Sequence, residues 1–264
     1  MKKIDSPANP RFKDLRQLVE SSRERRKAGR SVLDGIHLVT AYLEFVGPPQ
    51  RVAVSRRGLE SPEIRALLDR MRGVDTVLLG DALFKALSSV VTPTGILAVI
   101  ETPRSRPIPP ATESCVMLED LQDPGNLGSI LRSCAAANIG HVLLSRGSVH
   151  AWSPRVLRAA MGAHFALAVY EGVDLRAAAR GFSGKRVATH QQSPGSLYEA
   201  DLTGNLALLL GNEGAGLSPG LLAAADTVVS IPMPGKAESL NVAAAAAVCL
   251  FERVRQLAAR KRDS

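Results

Sequence analysis

The sequence is poor in aromatic residues and in cysteine. Phe, Trp and Tyr make up 4% of the 264 residues, so the core must be built from aliphatic side chains and alanine. The three cysteines, Cys115, Cys134 and Cys249, have apolar neighbours and lack the spacing of metal ligands. This excludes a disulfide framework and predicts buried, reduced thiols. The five histidines form no ligand pair, and we expect no metal.

Long apolar runs are also missing. No stretch of about 18 uncharged apolar residues is present, and the best candidate, residues 242–251, is much shorter. The N-terminus carries two lysines with no apolar segment behind them, which is not the pattern of a signal peptide. We therefore expect a cytoplasmic protein without a membrane span.

Positive charge is abundant. The formal net charge is +8 and the isoelectric point is about 9.8. Such an excess favours an anionic partner, most often nucleic acid, although frequent arginine use gives the same charge without one. Clustering of the cations favours phosphate contacts, but the last cluster is also typical of a solvated tail. The clusters are Arg23, Arg25, Arg26, Lys27 and Arg30; Arg104 and Arg106; and Arg253, Arg255, Arg260, Lys261 and Arg262.

A proline-rich stretch divides the chain. Residues 102–113 contain four prolines and no periodic apolar pattern, which predicts a linker between domains at 1–101 and 114–264. Helical and strand patterns alternate on both sides, so the fold class is α/β. The clear β-α alternation after the linker predicts a parallel, doubly wound sheet, and the first part predicts a smaller α/β domain.

Ligands of open parallel sheets bind beyond the carboxyl ends of strands, and three loops in such positions are unusual. The first loop combines a Pro-Gly turn with Asn126, which is suited to cap a helix predicted to start at Leu127. This helix would place Arg132 near its first turns. A capped helix carrying a solvated arginine is the alternative interpretation.

The second loop, residues 211–217, holds three glycines after an apolar strand predicted at 206–211. Glycines permit close approach of a ligand, although a plain turn also explains them. Their spacing, G-x-x-G-x-G, is not the G-x-G-x-x-G of dinucleotide-binding folds, and no matching acidic residue follows.

The third loop, residues 231–242, is rich in proline and glycine and leads through Ser239 and Asn241 into a long helix. That helix is predicted to begin at Ser239 or Leu240 and to end near Leu257. Because asparagine is a poor helix former, we expect Asn241 to make a specific hydrogen bond.

Together, in this order, the three loops resemble the signature motifs of the SpoU (TrmH-like) RNA methyltransferases. The motifs are N-x-G-x-x-x-R at 126–132, G-N-E-G-x-G-L at 211–217 and I-P-M-x-G-x-x-x-S-L-N-V at 231–242. The likeness covers about residues 115–257. It implies methylation of an RNA ribose 2′-hydroxyl from S-adenosylmethionine, a parallel-sheet domain with a deep C-terminal trefoil knot, and a homodimer.

The resemblance also implies roles for individual residues. It assigns cofactor contacts to Gly211, Ile231 and Leu240, with Thr189 and Met233 as further lining residues. Reaction roles fall on Arg132, Asn126, Glu213, Ser239 and Asn241. A guanidinium is too basic to act as a base, so we expect Arg132 to bind the 2′-oxygen or an adjoining phosphate and to stabilise developing negative charge. Asn126 then orients Arg132 or the ribose, and Glu213 orients a nearby cationic or hydroxyl group. Ser239 and Asn241 hold the loops and the substrate.

Residues 11–44 resemble part of the small ribosomal-protein-like RNA-binding domain that precedes several SpoU enzymes. That domain implies delivery of substrate RNA by its shape and unpaired bases. An appended domain is more typical of rRNA enzymes than of minimal tRNA enzymes, so we expect rRNA, with tRNA as the alternative.

Two other function classes remain open. A non-catalytic RNA-binding or ribosome-assembly factor on the same fold is disfavoured because all five reaction residues are retained. A nucleotide- or NAD-dependent enzyme is disfavoured by the glycine spacing. Cofactor binding distinguishes these classes from the methyltransferase. A methyltransferase needs S-adenosylmethionine, a non-catalytic factor needs no cofactor, and the third class needs NAD or ATP.

Overall fold

The computed structural model describes residues 1–88, 92–103 and 112–263. Most of the predicted linker lies outside these residues, as do Arg104 and Arg106 of the second basic cluster. The chain divides into two compact units, the first comprising Met1–Arg104 and Trp152–Phe165, the second Ser105–Ala151 and Ala166–Ser264. Among the described helices, none is both long and apolar enough to cross a membrane.

The helices and strands alternate along the chain. The strands are β1 Lys2–Ile4, β2 Arg30–Asp34, β3 Arg51–Ser55, β4 Asp75–Leu79, β5 Ile96–Glu101, β6 Cys115–Leu118, β7 His141–Leu144, β8 Ala168–Tyr170, β9 Lys185–Thr189, β10 Leu206–Leu210 and β11 Thr227–Val229. The helices are α1 Pro10–Glu20, α2 Ser22–Ala28, α3 Ile36–Phe45, α4 Pro62–Arg70, α5 Asp81–Leu87, α6 Pro124–Ala136, α7 Pro154–Ala160, α8 Leu175–Gly181, α9 Pro219–Leu222 and α10 Val242–Asp263.

The first unit contains a mixed five-stranded sheet in the order β1-β4-β3-β5-β2. The first three of these strands are parallel, and β5 runs antiparallel to both of its neighbours. The helix α1 begins at a proline behind Asn9, whose side chain accepts the Arg11 amide. It buries Phe12, Leu15 and Leu18 in the core of the unit, and their spacing is that of one face of a helix.

The second unit contains a six-stranded sheet in the order β11-β9-β10-β6-β7-β8. All of its pairings are parallel, as the alternation of patterns predicted. All five residues of β10 are buried, which explains its continuous apolar run. The helix α6 packs against α10.

Two helix starts differ from the predictions. The helix α6 begins at Pro124 and is capped by Asp123, whose Oδ1 accepts the Asn126 amide at 2.7 Å, so Asn126 is a first-turn residue and not the cap. Proline is favoured at this first position because its φ is already helical. At a rise of 1.5 Å per residue, Arg132 lies about 12 Å beyond Pro124, in the third turn.

The helix α10 begins at Val242, behind Asn241, and extends beyond the predicted end near Leu257 to Asp263. Asn241 therefore precedes the helix, and its Oδ1 accepts the amides of Ala243 at 2.9 Å and Ala244 at 3.3 Å. The predicted specific hydrogen bond is confirmed, and its location at a helix cap explains why a poor helix former is tolerated.

The cysteines match the sequence analysis. Cys115, Cys134 and Cys249 are all free and buried. Burial raises the pKa of each thiol to about 12, because a thiolate is poorly solvated among apolar groups.

Part of the basic clusters is internal. Arg25 is buried and donates from Nη1 to the carbonyl oxygens of Leu18 and Val19 at 2.8 and 3.0 Å. Arg253 is buried too, and donates from Nη2 to Ser114 Oγ and to the Gly204 carbonyl oxygen. These two arginines satisfy backbone groups of the fold, so they are unavailable to phosphates.

Candidate active site

A cavity of about 260 Å³ lies where β9, β10 and β11 end in the second unit. Its walls come from the loops that follow these strands and from the start of α10. All five residues predicted to bind the cofactor line it: Gly211, Ile231, Leu240, Thr189 and Met233. The sequence motifs thus converge at the carboxyl edge of the sheet, as expected for a ligand site of a parallel fold.

Gly211 is required by a close backbone approach. A Cβ at this position would lie 2.1 Å from the carbonyl carbon of Gly216 and 2.3 Å from the Leu217 nitrogen. The loop between them is closed by two hydrogen bonds that the amide and carbonyl groups of Asn212 and Gly216 exchange, at 3.1 and 3.0 Å. Gly216 has φ +69°, a conformation natural to glycine. The cavity wall is therefore rigid backbone.

The Asn212 side chain ties this loop to the central strand β6. Its Oδ1 accepts the amides of Gly214 and Ala215 at 2.9 and 3.0 Å, and its Nδ2 donates to the Asp120 carbonyl oxygen at 2.8 Å. Asp120 has φ 53°, and its amide donates to Ser145 Oγ at 2.8 Å. A non-glycine residue in this region is strained and is held by its surroundings. The predicted site residues did not include Asn212, Asp120 or Ser145.

Glu213 connects the second motif to the first. Its carboxylate accepts the amides of Gln122 at 3.2 Å and Asp123 at 3.1 Å, and Asn126 Nδ2 at 3.1 Å. Partial burial tends to raise the pKa of Glu213, but these hydrogen bonds outweigh it and leave the pKa below its usual value of 4.5. Glu213 is therefore an ionised clamp on the α6 loop.

Asn126 is hydrogen-bonded to the third motif as well as to the second. Its Oδ1 accepts a hydrogen bond from Asn241 Nδ2 at 2.9 Å, while its Nδ2 donates to Glu213. A chain of three side chains, Glu213, Asn126 and Asn241, thus links the three motif loops. Glu213 also holds backbone amides of the first loop and Asn241 caps α10, so the three side chains fix the loops relative to one another.

Arg132 and Ser239 do not take part in the hydrogen bonds that link Glu213, Asn126 and Asn241. Both side chains are exposed, and neither makes a hydrogen bond or ion pair with any residue that the structure describes. The side-chain amide of Asn126 is hydrogen-bonded to Glu213 and Asn241, so it does not orient Arg132 here. The guanidinium of Arg132 is therefore available to an anionic group of a bound ligand.

Other polar residues of the cavity were not identified from the sequence. His190, Gln191 and Gln192 follow β9, and Ser230 follows β11. His190 Nδ1 accepts the Gln192 amide at 3.3 Å, which places the proton of a neutral ring on Nε2. Their place at the carboxyl ends of two strands is the signal that could have found them.

The cavity combines apolar side chains with polar backbone. Ile231, Met233 and Leu240 provide apolar surface, and the 211–216 loop provides peptide groups. Such a lining can hold a flat aromatic ring between apolar groups and read its edge with amides and carbonyls. Within the described part of the chain, no group of three or more histidine, cysteine or acidic residues could hold a metal ion.

Two family models match different parts of the chain. The family model "SpoU rRNA Methylase family" matches residues 113–251, and "MRM3-like substrate binding domain" matches residues 9–98. The chain therefore belongs to the SpoU rRNA methylase family.

Similar proteins are found in sequence and in structure. The 23S rRNA (guanosine(2553)-2′-O)-methyltransferase RlmP of Bacillus subtilis is 34% identical over 95% of this chain and 98% of its own length. The 23S rRNA (uridine(2479)-2′-O)-methyltransferase of Streptomyces viridochromogenes is 30% identical over 94% of this chain and 90% of its own. The structure of the SpoU methyltransferase AviRb from that organism, in complex with AdoMet, has a TM-score of 0.83 at 28% identity, over 95% of this chain and 100% of the other.

Proposed function

We propose that this protein transfers a methyl group from S-adenosylmethionine to a ribose 2′-hydroxyl of rRNA. The observation that carries the proposal is the convergence of the second and third motifs on one cavity, with Glu213 and Asn126 tying that cavity to the first motif. The activities named for relatives that match nearly the whole chain support it.

The cavity fits S-adenosylmethionine. Gly211 exposes peptide groups where any side chain would collide with Gly216, so backbone can meet the adenine edge. Ile231, Leu240 and Met233 are suited to the ring faces, and Thr189 offers a hydroxyl to a polar group of the ligand. When bound, the cofactor supplies a methyl group that its sulfonium already activates.

This chain must then bring the ribose oxygen into line with that methyl group and stabilise the charge that develops as the hydroxyl loses its proton. We assign the second task to Arg132, since its guanidinium is exposed and has no acidic partner within the described residues. It binds the 2′-oxygen or the adjoining phosphate. Asn126, Glu213 and Asn241 keep the loops in place, and Ser239 is exposed beside them for a substrate contact.

We further propose the domain roles and the assembly. Residues 1–101 bind substrate RNA, which the substrate-binding family model over 9–98 supports; 102–113 are a linker and 114–264 are the methyltransferase. The chain is threaded as a trefoil knot, as the resemblance of its three motifs implies. The protein acts in the cytoplasm as a homodimer without a metal.

The decisive experiment is a transfer assay with tritium-labelled S-adenosylmethionine. The purified protein is incubated with total rRNA and, separately, with tRNA from a strain lacking the gene. We expect label in rRNA that resists alkali as a 2′-O-methyl dinucleotide. Label in tRNA alone would move the substrate to the alternative class, and absence of both transfer and cofactor binding would favour a non-catalytic RNA-binding factor.

The variant Arg132→Ala tests the reaction role. We expect methyl transfer to fall by at least about 100-fold, the scale of losing one charge-stabilising donor, with unchanged S-adenosylmethionine affinity and melting temperature. Arg180→Ala is the control, since Arg180 is also an exposed arginine and lies on α8 of the same unit. Near-normal turnover of Arg132→Ala would remove this residue from the mechanism.

A further inference from the structure

A second cavity, of about 490 Å³, lies in the first unit where β3 and β4 end and β5 begins. The strands β1, β4 and β3 run parallel, so this is the edge of the sheet at which parallel folds bind ligands. Its described walls are the turn after β3, the start of α5 and the segment that leads into β5.

The frame of this cavity is preformed. A Cβ on Gly58 would lie 2.4 Å from the Gly95 carbonyl oxygen, and Gly95 has φ +97°. The buried Ser55 donates its amide to that carbonyl oxygen at 2.9 Å and accepts the Gly58 amide on Oγ at 2.8 Å. The Arg57 amide donates to Asp81 Oδ1 at 3.0 Å. Two turns are thus locked together, and little conformational entropy is lost when a ligand binds.

The charges of the cavity differ from those elsewhere in the unit. Arg11, Arg30 and Arg51 share the carboxylates of Asp14 and Asp75 at the opposite ends of the strands. The side chains of Arg57 and Lys85, by contrast, are exposed and have no hydrogen bond or ion pair to any described residue. With the single carboxylate of Asp81 beside them, these two cations leave the described lining with a net positive charge, which attracts a phosphate.

The remaining lining suits a nucleobase. Pro93 provides apolar surface above a floor formed by the core residue Phe84, which is 2% exposed. The hydroxyls of Ser61, Thr92 and Thr94 can meet polar edge atoms. Only Oδ1 of Asp81 accepts the Arg57 amide, so its second oxygen can accept an amino or imino hydrogen of a base. Apolar surface for the ring, polar groups for its edge and cations for the phosphate together match one nucleotide.

We propose that this cavity binds an unpaired nucleotide of the substrate RNA, with Arg57 and Lys85 on its phosphate. The inference rests on the proposed function and gives the first unit a defined nucleotide subsite. Unpaired bases are the part of RNA that proteins can take into such cavities.

The test measures affinity for 23S rRNA across a salt series in the full-length protein. For Arg57→Ala/Lys85→Ala we expect about tenfold weaker binding and a salt slope smaller by about 2, since two phosphate contacts are lost. The control Lys13→Ala/Arg72→Ala removes the same charge at exposed positions of the same unit outside the cavity. A third variant, Thr94→Phe, obstructs the cavity without changing charge, and should weaken binding with an unchanged salt slope.

Equal losses in both double variants would overturn the proposal, because they would show a response to charge alone. Wild-type affinity in the cavity variants would overturn it as well, and if transfer to assembled ribosomal particles then fell, the cavity would be assigned to a protein partner. S-adenosylmethionine affinity should be the same in every variant. A wild-type protein that neither binds rRNA nor methylates it would refute the proposed function itself, and the nucleotide subsite with it.

Discussion

Single residues set the shape of the candidate active site, and Gly211 does so by having no side chain. The 2.1 Å that would separate an added Cβ from Gly216 cannot be relieved by a rotamer change, since both sides are backbone. We expect Gly211→Ala to lower S-adenosylmethionine affinity by at least tenfold and to reduce stability by about 1–3 kcal/mol, the usual cost of overpacking. Calorimetric titration and thermal denaturation measure the two effects.

Gly214 provides the control in the same loop. An added Cβ there would lie 3.6 Å from Asn212 Oδ1, an ordinary contact. Gly214→Ala should therefore bind S-adenosylmethionine within a few-fold of the wild type. Similar losses in both variants would mean that general rigidity of the loop, and not the approach at Gly211, determines binding.

The Glu213 clamp has a defined pH dependence. Because the pKa of this carboxyl is lowered in the folded protein, its contribution to stability is present above the ordinary value of 4.5 and is lost as pH falls through the lower, folded value. Amide hydrogen exchange at Gln122 and Asp123 should thus stay protected from pH 7 to pH 5. In Glu213→Gln this protection should be weakened throughout that range.

Glu238→Gln is the neutralising control for the clamp. Glu238 is an exposed carboxylate of the third motif loop, and it has no partner among the described residues. Exchange at Gln122 and Asp123 should be unchanged in that variant. Unaltered protection in Glu213→Gln would refute the clamp.

At the scale of residues, sequence reasoning found side chains with recognisable chemistry and missed those whose importance is conformational. Gly211 and Asn241 belong to motifs that can be recognised in the sequence. The strained backbone of Asp120 cannot, because its hydrogen-bond partners follow two other strands, β7 and β10. The partners of Asn126 were also unforeseen, because hydrogen bonds between residues 87 and 115 positions apart leave no local pattern.

Among the elements, the corner between α1 and α2 depends on a buried cation. Arg25 supplies hydrogen bonds to the last carbonyls of α1, groups that a helix end leaves without partners. We expect Arg25→Ala to lower the free energy of unfolding by about 2 kcal/mol, the range for a hydrogen-bonded charged group. Urea denaturation of the variant checks this value.

The neighbouring Arg26 gives the comparison. It is exposed on the same helix, so Arg26→Ala should change stability by no more than about 0.5 kcal/mol. Equal stabilities of the two variants would show that the internal hydrogen bonds of Arg25 are replaced by water at no cost.

Elements with an apolar period were predictable, and short or charged ones were not. The sequence pattern predicts a helix over 62–70 and a strand over 51–55, and the structure has both with these bounds. By contrast, β1 has three residues, two of them lysines, and α2 is almost entirely polar, so neither has an apolar period. The starts of α6 and α10 were misplaced because any of several neighbouring polar residues could have capped them.

For the whole molecule, the proposed dimer gives a direct prediction. Phe251 lies on α10 and is 49% exposed, so a dimer that pairs through this helix would cover it. We expect Phe251→Asp to sediment as a monomer while the wild type sediments as a dimer. Phe45→Asp, at an exposed phenylalanine of α3 in the first unit, should leave the sedimentation unchanged.

The chain of Glu213, Asn126 and Asn241 also governs when the site can form during synthesis. Asn126 leaves the ribosome long before its two partners, 87 and 115 residues further along. Contacts of such sequence separation are slow to form because loop closure precedes any energetic gain. The first-motif loop therefore remains without its clamps while the rest of the second unit is being made, and the nascent chain acquires its ability to act on RNA only as the last strand and helix fold.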